Sequence, residues 1–325
     1  MSRFQKIFTL ILALVLAACG SNVTPTPAPL PTDTTLAPTN DAPPVDGASE
    51  SKAQVPNFDH IVIIIFENWA SDESLSSPLM PTFNGLADQY TLLTHYYGVK
   101  HPSLPNYIAL MSGETFDITE NCTDCFFNAT SLPDLIEASG RTWKTYQEDM
   151  PEPCYIGSED SYEQKHNPFV YFDPIRLDKP RCEKSVVPFT ELKADIDANA
   201  LPNFIFITPN ICNDGHDCSV GVADKWLSRQ LDVLIPALDA DSSNYLVVLM
   251  FEEGDGDEGC CGLPEDDAGG RVPVVFISPE VKKGFEDDTP YNHYSLLRTM
   301  ADAWGLPYLG HAADAETPSI IAPWK

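Results

Sequence analysis

Two acidic pairs, one serine and a histidine-rich loop carry most of the chemistry this sequence offers. Glu67-Asn68 follows the apolar run HIVIIIF, Glu252-Glu253 follows NYLVVLMF, and NDGHD (213–217) follows NFIFITPN. Carboxylate and amide oxygens suit a hard or borderline divalent cation, and imidazole is a common zinc or iron ligand. Glu67, Asn68, Glu252 and Glu253 therefore read as ligands that two neighbouring strands bring to one ion; the alternative for each pair is a helix start or a solvated turn. Ser103, in GVKHPSLPNYIALMSGE, has two readings as well. Its hydroxyl can cap the N-terminus of the helix that SLPNYIALM suggests. Beside a cation and in the positive field of a helix start, the same hydroxyl is able to deprotonate near neutral pH and attack phosphorus. Asn106, one turn later, is then placed to donate a hydrogen bond to the same phosphoryl group.

Four of the seven histidines, His101, His166, His216 and His293, sit in polar settings suited to phosphate contact or to protonating a leaving oxygen. His216 beside Asp217 is the strongest candidate for proton donor, because a neighbouring carboxylate favours the charged imidazole. His293, in NHYSLLRT, reads equally as the start of a helix, and His60, His95 and His311 have no comparable context. Other motifs fail on inspection. GDGDEG (254–259) matches GxGxxG, but its acidic side chains repel a pyrophosphate and no helix pattern follows. The same loop misses the calcium-loop template, and the absence of GxSxG leaves a serine esterase of the α/β-hydrolase type unsupported.

The elements that must position these residues are legible in outline. Phe58–Phe66 and Asn244–Phe251 are continuous β-branched and aliphatic runs of the kind buried at the centre of a parallel sheet, and Asn203–Thr208 and Val272–Ser278 are shorter runs of the same kind. Asp224–Leu238 and His293–Trp304 have apolar residues at helical spacing. Strands alternating with helices predict an α/β fold, a three-layer sandwich around a mostly parallel central sheet. In such sheets ligands bind beyond the carboxyl ends of the strands. Three apolar runs here end in polar residues, all expected at one edge.

The N-terminus reads as an export and anchoring device. Residues 1–18 carry Arg3 and Lys6 ahead of one apolar run too short to span a bilayer, and LAAC ends in Cys19, the pattern of a lipoprotein signal peptide whose cysteine becomes lipidated. Residues 19–56, rich in Thr, Pro, Ala and Asp, lack the apolar surface to fold and read as a tether. That leaves 57–325 as one large domain at the surface of a bacterial membrane, within the cell envelope. The eight cysteines beyond Cys19 suggest up to four disulfides of unassigned pairing. A net charge of −29 argues against a nucleic-acid partner. It also means that a phosphate-bearing substrate needs a local cation to receive it.

The blocks HIVIIIFENWASDE, HPSLPNYIALMSG, KHNPFVYF, PNICNDGHDCSVGVADKWL, MFEEGDG and NHYSLLRTMADAWGLPYLG occur in that order between about Asp59 and Gly310. Together they resemble the bacterial phosphoesterase family that contains acid phosphatases and phospholipases C, and most of all its short branch of phosphatidylinositol 3-phosphatase-like enzymes. The resemblance implies an alkaline-phosphatase-like fold, Ser103 as nucleophile and Asn106 as phosphate ligand. It implies Glu67 with Asn68, and Glu252 with Glu253, as the ligands of a divalent metal ion, and His166 and His216 as residues lining the pocket. His101, Asp217 and His293 join these as expected substrate contacts. Relatives usually carry Asp where this chain has Glu252, which displaces that carboxylate by one methylene. The expected activity is metal-dependent hydrolysis of phosphate monoesters, of small molecules or lipid head groups, through a phosphoserine. A phospholipase C-type phosphodiesterase and a catalytically silent ligand-binding surface lipoprotein are the alternatives.

Overall fold

The computed structural model describes residues 54–325 apart from Ser76, Ser243 and Glu265. The expected signal peptide, Cys19 and nearly all of the tether lie outside the described residues. Nine strands form one sheet: β1 (His60–Phe66), β2 (Thr91–Tyr97), β3 (Trp143–Gln147), β4 (Val186–Pro188), β5 (Phe204–Thr208), β6 (Tyr245–Phe251), β7 (Arg271–Ile277), β8 (Phe285–Asp287) and β9 (Tyr291–Asn292). Their order is β4-β3-β5-β1-β6-β7-β2-β8, with β9 beside β2. β1 lies at the centre, parallel to β5 on one side and to β6 on the other.

Every residue of β1 and β6 is buried, which requires cover on both faces of the sheet. Each Ile or Val so buried contributes about 1.5–3 kcal/mol relative to exposure. The helices supply that cover in two groups: Pro81–Gln89 packs with Val220–Asp241, and Ser103–Ser112 packs with His293–Trp304. The helix His293–Trp304 has the expected bounds, held by a capping box in which Asn292 accepts from Ser295 N. The helix expected at Asp224–Leu238 is longer, Val220–Asp241, and continues through Pro236. None of the helices among the described residues is long and apolar enough to cross a membrane.

One strand runs against expectation. β7 is antiparallel to both β6 and β2, not a further parallel strand. A parallel neighbour needs a long crossover back to the opposite edge, usually a helix, whereas the Gly-, Asp- and Cys-rich segment between Glu252 and Gly270 forms none. The chain instead turns back at the carboxyl edge of β6 and stays there as a loop. Because β7 is antiparallel to β2 in turn, β2 points the same way as β1, β5 and β6, and its end delivers Gly98–Pro102 to the same edge. Gly98 N donates to Gly270 O at 2.8 Å, and a Cβ on Gly98 would stand 2.7 Å from Gly269 O. Only glycine permits that approach of the two backbones.

The eight cysteines pair locally: Cys122–Cys125, Cys154–Cys182, Cys212–Cys218 and Cys260–Cys261. Three of them close stretches separated by six residues or fewer and pin loops, while Cys154–Cys182, 28 positions apart, ties the loop after β3 to the helix Lys179–Ser185.

Candidate active site

Four strand ends converge on one buried polar centre. β1 ends in Glu67, β2 leads through a short turn to Ser103, β5 leads to Asp214 and His216, and β6 ends in Glu252 and Glu253. Ser103 Oγ lies 3.1 Å from Glu67 Oε2 and 3.2 Å from Glu253 Oε1. The N-cap expected of Ser103 is corrected here. Pro102 occupies the cap position, Ser103 is the first helical residue, and its hydroxyl bonds no helix N–H. Asn121 does that work instead, its Oδ1 accepting from Leu104 N at 3.0 Å. The serine side chain is therefore directed wholly at carboxylates.

On one side of Ser103, Glu67 is completely buried, accepting from Tyr107 Oη at Oε1. His166, equally buried, lies between two carboxylates, with Nε2 3.2 Å from Glu67 Oε2 and Nδ1 3.2 Å from Asp214 Oδ2. Burial opposes charge on both groups, but the imidazole and carboxylate facing each other outweigh it. Glu67 is held at about 2 and His166 up at about 9. Asp214 is raised by burial. His166 Nε2 and Asp214 Oδ2 nonetheless have no aligned hydrogen-bond partner. Glu67, His166 and Asp214 each present a ligand atom within 4.8 Å of the others, the one such group of acidic, histidine or cysteine side chains among the described residues. Buried, converging polar atoms without aligned partners are costly unless a cation joins them, here in place of the imidazole proton. This donor set therefore fits a divalent ion.

On the other side, Glu252 and Glu253 are both buried, and burial is the main cause that raises both carboxyls. Glu252 Oε2 accepts from Asn68 N at 3.2 Å and from Glu253 N. Asn68 stands at the end of β1 with a positive φ of 56°, and its amide nitrogen, turned toward the pair, donates to Glu252 Oε1 at 3.2 Å and Glu253 Oε1 at 3.1 Å. A left-handed asparagine directly after a strand is a strained backbone position that aims a side chain. His101 Nδ1 lies 2.6 Å from Glu253 Oε2 and Nε2 lies 2.9 Å from Gly256 O. Its bond to Glu253 is the chief reason its pKa rises to about 9.

The remaining expected residues are distributed differently. Asn106 is fully buried and its amide braces the turn before Ser103: Oδ1 accepts from Val99 N at 2.7 Å and Lys100 N at 3.2 Å, while Nδ2 donates to Lys100 O at 2.5 Å. His216 stands beside His166, ring centroids 5.9 Å apart, with Nδ1 2.8 Å from Asp217 Oδ1 and Nε2 3.1 Å from Lys165 Nζ. Asp217 thus orients His216 from an exposed position. His293, expected at the substrate, is instead sealed behind the site, with Nε2 2.7 Å from Glu252 O and Nδ1 3.1 Å from Tyr96 Oη. Burial depresses it to about 4, so it stays neutral as a brace for the Glu252 main chain. Sequence reasoning missed Asp214, Tyr107 and Lys165. Tyr107 lies four residues after Ser103 on one helix face, a spacing legible in the sequence; Asp214 sits inside NDGHD, two residues before His216.

Behind these residues, Glu148 at the end of β3 ties the 210–213 loop down, accepting at Oε2 from Asn210 N and Asn213 Nδ2, both at 2.9 Å. Trp226 Nε1 donates to its other oxygen at 2.9 Å. Comparison with known proteins identifies the family and the fold. A family model described as the Phosphoesterase family matches residues 73–307. A phosphate-repressible acid phosphatase of Penicillium chrysogenum is 35% identical over 268 residues, covering 78% of this chain and 60% of that protein. This chain thus spans about three-fifths of that relative's length. A phosphatidylinositol-3-phosphatase of Mycobacterium tuberculosis is 31% identical over 274 residues, covering 83% of this chain and 84% of the other. A solved structure of a protein in the alkaline phosphatase superfamily from Vibrio parahaemolyticus, 12% identical, superposes with a TM-score of 0.53 over 79% of this chain and 69% of its own, and so shares the fold.

Proposed function

Since this chain belongs to the phosphoesterase family, we propose that it hydrolyses phosphate monoesters as an acid phosphatase, with Ser103 as nucleophile. The observation that carries this reading is the Ser103 hydroxyl, 3.1 Å from Glu67 and 3.2 Å from Glu253 at the first residue of a helix. The proton of that hydroxyl points at a carboxylate, leaving an oxygen lone pair for attack. As the Oγ–P bond forms, a carboxylate takes the hydroxyl proton and the ester P–O bond breaks. His216, oriented by Asp217, donates a proton to the departing alcohol oxygen. Water, giving a proton to His216, then attacks the phosphoserine; the Oγ–P bond breaks, the carboxyl returns its proton to Ser103 Oγ, and inorganic phosphate leaves. The dipole of the helix that starts at Ser103 favours negative charge on the phosphoryl oxygens. His166 and His101 hold the carboxylates on either side of Ser103 in place.

Glu67, His166 and Asp214 would hold the divalent ion, with Glu252 and Glu253, braced by the Asn68 amide, across Ser103 as further oxygen donors. When bound, the ion neutralises charge on the phosphoryl group and favours the ionised hydroxyl. In a chain this acidic, no other local cation of comparable charge faces Ser103 among the residues described above.

The same reading assigns residues 1–18 to export, Cys19 to lipidation and the tether to holding the domain at a membrane surface. Four disulfides suit an oxidising compartment. The test is hydrolysis of 4-nitrophenyl phosphate by the full chain, with and without chelator, beside Ser103→Ala. Activity lost with either treatment supports the reading. An active Ser103→Ala removes the nucleophile, and an inactive wild type on every phosphate ester tried leaves a binding lipoprotein.

A further inference from the structure

The edge of the sheet opposite the candidate site carries a second concentration of chemistry. β3, β4 and β5 run parallel, so their amino ends lie together, and a cavity of about 440 Å³ opens there. Arg141, Lys144, Lys184 and Ser185 line it from the starts of β3 and β4. Glu137 and Asp195 line it from the helices Leu132–Ala138 and Thr190–Asp197. In a chain with 19 basic and 48 acidic residues, three cations on one cavity call for an explanation.

Both carboxylates are already committed. Asp195 Oδ2 lies 2.5 Å from Lys144 Nζ and accepts from Tyr146 Oη at 2.6 Å. Glu137 Oε1 lies 3.0 Å from Arg181 Nε and accepts from Trp143 Nε1 at 2.6 Å. Arg141 and Lys184, by contrast, form no ion pair with a carboxylate among the described residues. The Arg141 guanidinium is nonetheless held in place. It donates to Ser139 Oγ at 3.1 Å and Asn57 Oδ1 at 3.2 Å, and its central carbon stands 5.3 Å from the Trp304 ring centroid. These partners are neutral, so its charge stays uncompensated and further N–H donors stay free. Ser185 is only 5% exposed, and its hydroxyl has no hydrogen-bond partner among the described residues. Buried polar groups are as a rule satisfied, which leaves the occupant of the cavity to satisfy this one. The uncompensated charges are positive and refuse a cation. A carboxylate engages the arginine fork alone, whereas the oxygens of a tetrahedral phosphate reach guanidinium, ammonium and hydroxyl together. The negative total charge of the chain does not cancel this local field, because exposed charges beyond about 8 Å are largely screened at physiological ionic strength.

We propose that this cavity is a second, non-catalytic anion site that binds a phosphate group through Arg141, Lys184 and Ser185, as the free ion or on a lipid head group. Since Arg141 is bonded to Asn57, the bound phosphate sits where the N-terminal segment joins the domain. The site lies at the amino ends of the strands whose carboxyl ends face Ser103, and it does not rest on the phosphatase reading.

The experiment is equilibrium dialysis of radiolabelled inorganic phosphate against the full chain, with a chelator present to remove metal-held phosphate from the candidate active site. Wild type is compared with Arg141→Gln, Lys184→Gln and Lys283→Gln, the last an exposed cation outside the cavity. Wild type is expected to bind one phosphate per chain. Arg141→Gln and Lys184→Gln should each weaken that binding about tenfold, and Lys283→Gln should match wild type. Displacement of the label by short-chain phosphatidylglycerol assigns the lipid head group, and binding that this lipid does not displace assigns the free ion; either result supports the site. Absence of saturable binding, affinity unmoved in Lys184→Gln, or displacement by acetate as effective as by phosphate overturns it. Arg141 also braces Asn57 and Trp304, so if Arg141→Gln unfolds, Lys184→Gln, an exchange of an exposed side chain, decides.

Discussion

The hydroxyl of Ser103 and the carboxylate of Glu253 meet at 3.2 Å although 150 positions separate them in the chain. Ser103 follows the turn after β2, and Glu253 is the second residue after β6, so both reach the carboxyl edge of the sheet. The contact exists because those two strands point the same way.

Ser103→Ala should lower turnover of a phosphate monoester by about a thousandfold or more. Pro102 and Asn121 serve the helix start, so thermal unfolding should shift by less than the equivalent of about 1 kcal/mol. A cap role for the serine predicts the reverse pattern, a large loss of stability with activity retained.

Asp214→Asn should weaken divalent-metal binding by roughly 100-fold or more, read by calorimetric titration of chelator-treated protein. Asp217→Asn, at an exposed position three residues on, should leave metal affinity within a few-fold while slowing turnover through His216. Equal metal affinity in wild type and Asp214→Asn would remove Asp214 from the ion's ligands.

His293→Ala should cost about 2–3 kcal/mol in denaturant unfolding, because it opens a cavity and strips the Glu252 carbonyl of its donor. KM for a small aryl phosphate should change little beside kcat. A large rise in KM with intact stability would return His293 to the substrate.

Gly98→Ala should destabilise by about 1–3 kcal/mol and reduce activity, since its Cβ would meet Gly269 O at 2.7 Å and push the Ser103 turn from the 254–268 loop. Urea denaturation with parallel activity measurements separates this from a neutral exchange, which would mean the two loops part without cost.

The sequence by itself determined the central strands, the helix after His293, and most of the residues that gather at the site. Continuous Ile, Val and Leu runs such as Ile61–Ile65 and Leu246–Met250 have few alternatives to a doubly covered strand, and a polar pair directly after one must emerge at its end. What it left open depended on partners far along the chain. β2, with His95 and two threonines among its seven residues, lacks the unbroken apolar pattern of a central strand, yet it is the strand that delivers Ser103. The direction of β7 follows from a loop that turns back instead of crossing, which decides where Cys261 and Asp267 lie. Asp214 joins Glu67 only through the register of β5 on β1, and His293 is withdrawn from the site only because β9 and its helix pack behind Glu252. Local pattern records what each segment prefers; which carboxylates share a proton, a serine or an ion is set by distances between strand ends, and those exist only once the sheet is assembled.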